Sequence, residues 1–220
     1  MRVDPVARQL VLSGPPRVRQ RDISAFVSQN LDWIAARLDA LPQAAPFQDG
    51  SEILLRGEMT RLVRKEGRGA PLWIAGDAGQ APHLVICASS AQFDARTRAA
   101  LKAFAHADAL AHSNNFAPKL GKAPTALRLR DTKSRWGSCN SNGQIMLSWR
   151  LIGAPPRVLE YVVAHEMAHL LELNHSRRFW SHVETLMPDW QTARAWLKTH
   201  GARLHALGSI GSAQHELRTS

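Results

Sequence analysis

The stretch "HEMAHLLELNH", from His165 to His175, restricts what this chain can fold into more than any other. Its three imidazoles can serve one purpose only if the first two share a helical face and the chain then doubles back. Residues four apart on an α-helix project from the same side, about one turn apart. At that separation His165 and His169 can hold one Zn²⁺ with Zn–N bonds of roughly 2.0–2.1 Å. Glu166 points about 100° further round the helix, so its carboxylate stands beside a metal-bound water rather than on the metal. A carboxylate so placed can take the water's proton and deliver it to a leaving amine. Asn174 tolerates the left-handed conformation that turns a chain past a helix end, which lets "LNH" return His175 to the same ion. Three neutral imidazoles plus one water form an open catalytic site rather than a closed structural one.

A helix of this kind needs a core to sit in, and the composition supplies one. Of the 220 residues 45% are hydrophobic and 21% charged, an ordinary globular balance for one domain with a small accessory lobe. Asp22 can cap a helix through "ISAFVSQNLDWIAARLDAL", ending at Pro42. Between Ala44 and Ser89 the pieces "EILLR", "TRLVRK", "PLWIAG" and "HLVICA", separated by Gly- and Pro-containing turns, read as a small antiparallel sheet. A second helix begins near Asp94 and runs until Asn114 and Pro118 disrupt it. "TALRLRDT" and "GQIMLSWRLI" read as strands joined by "KSRWGSCNSN". The metal helix spans about Arg157 to Leu173, opened by Pro155-Pro156, and two further helices flank Pro188-Asp189. The fold expected is therefore α+β, a small antiparallel sheet packed on helices. It divides into residues 1–91 (helix and small β-rich lobe), 92–207 (catalytic region) and 208–220 (flexible tail).

The remaining composition bounds location and partners. No run approaches the roughly 18 apolar residues of a membrane span, and the first residues lack the apolar centre of a signal peptide. With two cysteines, Cys87 and Cys139, a reduced cytoplasmic protein is expected. The net charge of +10 favours polyanions, yet the basic residues are scattered and no aromatic platform interleaves them.

"RWGSC" followed by "LSWRLIGAPPRVLEYVVAHEMAHLLELNHSRRFW" resembles the bacterial YgjP-like metallopeptidases, predicted zinc-dependent hydrolases related to the SprT and Wss-type proteases. The likeness is close from Thr132 to Trp190 and looser at "AFVSQNLDWIAARL". It implies a zincin-like core holding one Zn²⁺ on His165, His169 and His175, with Glu166 as catalytic base. The metzincin spacing is similar, but Glu172 stands where that pattern has glycine. In zincin-like enzymes an extended peptide lies along an edge strand beside the metal helix, so Arg135, Trp136, Gly137 and Ser138 become candidates for binding a peptide or protein substrate. Arg135 and Trp136 either line the cleft or brace the turn, and Gly137 and Ser138 permit a tight turn. Two other readings stay open. One is a DNA-linked protease of SprT type; the other is a nucleic-acid-binding module whose zinc is structural, closed by Cys139.

Overall fold

The computed structural model describes residues 1–4, 9–14, 18–39, 46–77, 80–132, 135–205 and 207–208. Two compact units are drawn from Met1–Ala45 and from Pro46–Gly208. In the first, strands β1 (Arg2–Asp4) and β2 (Gln9–Val11) pair antiparallel, followed by helices α1 (Gln20–Gln29) and α2 (Leu31–Asp39). The single helix expected from Asp22 is thus two. Asn30 leaves helical geometry at φ −118°, and its side-chain amide donates to the Phe26 carbonyl at 2.8 Å. An Asn that bonds the local backbone competes with the helical ladder. Asp22 is not the cap; Arg19 is, and Asp22 lies in the first turn, where its charge complements the helix dipole. Pro42, the expected end, lies outside the described residues.

The second unit begins with strands β3 (Glu52–Leu55), β4 (Glu58–Lys65), β5 (Leu72–Ile74) and β6 (His83–Cys87), in the order β3-β4-β6-β5. Helix α3 (Phe93–Leu120) follows, then β7 (Ala126–Arg130), β8 (Gly137–Cys139) and β9 (Gln144–Ser148), ordered β7-β9-β8. A 3-10 turn (Trp149–Gly153) leads into α4 (Pro156–Ala168), α5 (Arg177–Leu186) and α6 (Trp190–His205). This is the α+β arrangement of small sheets packed on helices, with one difference in detail. Both sheets are mixed, since β4–β6 and β7–β9 pair parallel while the other pairs are antiparallel. The reason is burial. β6 carries Leu84 and Ile86, and β9 carries Ile145 and Leu147, all essentially inaccessible. The most apolar strand of each sheet takes an inner position, and the three-residue strands β5 and β8 take edges.

Helix α3 is the common wall of two cores. Phe93, Ala100, Leu101 and Ala105 pack with the four-stranded sheet, whereas Ala109 and Phe116 pack with α4, α5 and the three-stranded sheet. Its Ala-rich sequence favours helix strongly, and it continues through Asn114 and Pro118 to Gly121 at φ 69°. Pro118 falls in the last turn, where it removes one backbone bond without stopping the helix, and the left-handed glycine ends it.

The β3–β4 hairpin tip joins the cores. Arg56, a non-glycine residue at φ 52°, and Gly57, at φ 85°, donate their amides to the Ile152 and Gly153 carbonyls at 2.7 and 3.1 Å. The Arg56 guanidinium binds both Asp108 carboxylate oxygens at 2.8–3.0 Å and lies over Trp73. A Cβ at Gly57 would sit 3.0–3.2 Å from Pro155, just before α4. Gly57→Ala is therefore expected to lower unfolding free energy by about 2 kcal/mol, read as an earlier urea midpoint, through backbone strain and this crowding together.

Candidate active site

Helix α4 opens with Pro156 in its first turn and is buried on nearly every side, through Val158, Leu159, Tyr161, Val162, Val163, Ala164, Met167 and Ala168. It is shorter than the sequence pattern predicts. His169 is its C-cap, still right-handed at φ −65°, and the Leu170 and Leu171 amides close tight turns onto Met167 and Ala168 at 2.9 and 3.1 Å. His165 and His169 keep their i, i+4 relation. The chain then returns, but not through a left-handed Asn174, since Arg56 is the one described non-glycine residue at positive φ. Instead the Asn174 side-chain oxygen accepts from the Ser176 amide at 2.9 Å, and Ser176 Oγ caps α5 by accepting from Phe179 N at 3.2 Å. Two successive side-chain caps replace the expected turn and deliver His175.

The three imidazoles stand at the corners of a nearly equilateral triangle, ring centroids 4.9–5.0 Å apart. Nε2 of His165 and Nε2 of His175 are 3.1 Å apart, and one ring nitrogen from each of the three lies within 4.8 Å of the others. Such a group can hold a metal ion. Phe179, with no exposed surface, contacts all three rings at 4.5–4.9 Å and forms their floor. His169 Nδ1 donates to the Glu172 carbonyl at 2.9 Å, which turns its Nε2 outward. Burial, reinforced by its two imidazole neighbours, pushes His165 down to about 3, and burial lowers His169 as well. Both rings are neutral at pH 7, the form that binds metals.

Glu166 is 5% exposed and aims at β8. Burial pushes its carboxyl up to about 8, partly offset by the Arg135 guanidinium. A Cβ at Gly137 would fall 2.5–2.8 Å from the Glu166 carboxyl and Cγ. Position 137 is therefore glycine because the carboxylate occupies the space. Gly137 and Ser138 are strand residues rather than a turn, opposite Leu147 and Met146. Trp136 accepts at its carbonyl from Ser148 N at 2.8 Å, and the Asn140 amide donates to Gln144 O at 3.1 Å. By antiparallel alternation, the amides and carbonyls of Gly137 and Cys139 then point away from β9, toward the open edge.

The Trp136 ring stacks on His205 at 4.1 Å and packs against Gly201 of α6, so it braces the strand from behind. Arg135 is exposed near Glu166. Among the described residues the metal-competent group contains the three histidines and not Cys139, whose sulfur contacts the Asn140 carbonyl at 3.5 Å. Asp189 is held by Arg157, away from any ligand role, and Glu172 acts through its backbone. That last contact has no signature in residue types, because any side chain at 172 would present the same carbonyl.

No helix among the described residues is long and apolar enough to cross a membrane. No curated protein matches the chain. Among solved structures, it is similar to the crystal structure of the metallopeptidase zymogen of Pyrococcus abyssi abylysin, at 23% identity and a TM-score of 0.37, over 41% of this chain and 93% of that one. Residues 1–200, which include the three histidines, Glu166 and the strand beside them, match the family described as YgjP-like, metallopeptidase domain, and the chain belongs to that family.

Proposed function

We propose that the protein is a zinc-dependent metallopeptidase that hydrolyses peptide bonds, with His165, His169 and His175 as zinc ligands and Glu166 as general base. Membership of a metallopeptidase family implies a metal ion and peptide or protein substrates; the ligand set and mechanism are our reading. The observation that carries it is the convergence of three imidazoles on one point, with a buried carboxyl at its side. Nε2 of His165 faces Nε2 of His175 at 3.1 Å, a separation that two ligands of one ion can adopt. An all-imidazole donor set with an adjacent carboxylate favours zinc over harder ions.

When bound, the ion supplies Lewis acidity toward the scissile carbonyl and toward water, and its charge favours the ionised form of Glu166. The chain's own residues do the rest. An extended substrate pairs its backbone with the outward amides and carbonyls of Gly137 and Cys139, which gives affinity with little sequence preference. Glu166 takes the proton of the attacking water and returns it to the departing amine nitrogen. Its burial keeps bulk solvent from competing for that proton. Gly137 lets the strand, and with it the substrate, approach the carboxylate closely. Arg135, exposed at the mouth, is a further candidate substrate contact.

Glu166→Gln should lower kcat/KM by on the order of 10²–10⁴-fold while zinc content by elemental analysis is unchanged; full activity would remove Glu166 as the base. His175→Ala should weaken zinc affinity by more than about 100-fold, beyond the usual effect of outer partners, and undiminished zinc after dialysis would remove it from the ligand set. Gly137→Ala should lower stability by about 2 kcal/mol. In a Glu166→Ala background that loss should shrink to within about 0.5 kcal/mol, measured by a denaturation cycle on the four proteins.

A further inference from the structure

Beside the histidine triangle, α5 and α6 build a second feature that the hydrolytic mechanism does not use. Trp180 lies 5.9 Å from the His165 ring and 6.0 Å from the His175 ring, and it stacks on Trp190 at 4.5 Å with 22° between planes. The Arg194 guanidinium sits over both indoles, 5.2 and 5.7 Å from their centroids. Trp190, Gln191, Arg194, Ala195 and Lys198 line a groove of about 440 Å³ on this side of α6.

The charges here are uncompensated. Arg194 and Lys198 are exposed and one helical turn apart, and among the described residues neither has an acidic partner. Like charges at i, i+4 weaken a helix slightly, a cost that Arg194 offsets through its contacts with the indoles and Lys198 does not. Arg56, Arg98, Arg150 and Arg157, by contrast, are each tied to a carboxylate. Arg194 is also held in place by its contacts with the two indoles, and its N–H donors, without an acidic partner, are of the kind that engages a planar anion in a bidentate manner.

We infer that Arg194, with Lys198, is a carboxylate-binding subsite that gives the enzyme a preference for anionic peptides. This rests on the peptidase reading above. From Trp180 to the histidines the distance is short enough that the anchored carboxylate lies within about three residues of the scissile bond in an extended peptide. It comes either from an Asp or Glu side chain or from a peptide C-terminus. A nucleic-acid strand fits less well. The two indoles stack on each other and Trp190 also on Tyr161, which leaves little aromatic face for a base, and two cations make a short phosphate track.

The test is calorimetric binding of synthetic peptides to the full-length, zinc-loaded Glu166→Gln protein, paired with kcat/KM on the unaltered enzyme. One peptide set places Glu or Gln at each of three positions either side of the cleavage point, with the C-terminus amidated. A second set has neutral side chains and a free or amidated C-terminus. The expected result is about 10-fold tighter binding of the Glu peptides or of the free-carboxylate peptides, and whichever set responds identifies the source. Arg194→Met should bring that ratio close to one, and Arg194→Glu should invert it in favour of Lys-containing peptides, which a packing role for Arg194 would not do. Equal binding of acidic and neutral peptides would overturn the inference. So would an equal loss for both on Arg194→Met, or an Arg194-dependent site that prefers a single-stranded oligonucleotide over every acidic peptide. Charge-selective binding without cleavage of any peptide would instead sink the hydrolase reading and leave this subsite standing.

Discussion

A helix buried on almost every side can carry polar groups only where a neighbouring element leaves them a defined place, and α4 is such a helix. Its apolar residues face α3, α5, α6 and the three-stranded sheet, and that packing fixes its axis and rotation. His165 and Glu166 have no freedom to choose other directions. The imidazole must go toward Phe179 and the returning loop; the carboxyl must go toward β8. The placement of the histidine and carboxyl groups follows from this confinement. Each group is unfavourable where it sits when considered alone, a charge-prone carboxyl and a polar imidazole in a dry interior. They make sense as parts of one site.

The neighbours of that site are organised for close approach. Small residues appear where two elements must nearly touch: Gly137 against the carboxyl, Gly201 against the Trp136 ring, Gly57 against Pro155. The first brings a strand edge up to Glu166, the second lets α6 support that strand from behind, and the third seats the β-hairpin tip against the residues preceding α4. Each contact forbids a side chain for a steric reason that can be located in the fold.

Much of this was legible in the residues alone. The spacing of His165, Glu166, His169 and His175 carries its own geometry, since helical periodicity places the first three and only a return of the chain makes the fourth useful. The strands at Ala126–Arg130 and Gln144–Ser148 were also visible in alternating apolar positions, whereas Gly137–Cys139, with no such alternation, gives no sign of being a strand. What escaped was decided by backbone or by packing. α4 stops at Ala168 because the chain must turn at once to bring His175 round, although "LLEL" has good helix propensity. Asn174 makes the return with its side chain rather than with a left-handed backbone, a choice that its identity does not distinguish. Asn30 splits a helix whose apolar spacing is unbroken, and Pro118 fails to end one because it falls in the final turn. The parallel pairing of β4 with β6 depends on which strand is buried most deeply, a property of the assembled sheet.

Helix α3 contributes side chains to both cores of the larger unit, from Phe93 at one end to Phe116 at the other. Opening either core would strip apolar cover from the same continuous rod, so the two are energetically tied and a half-melted form has little to stabilise it. If substrate binds as extended chain along a strand edge, as proposed, this coupling has a protective side: the paired cores would offer another copy an extended segment only when both open together.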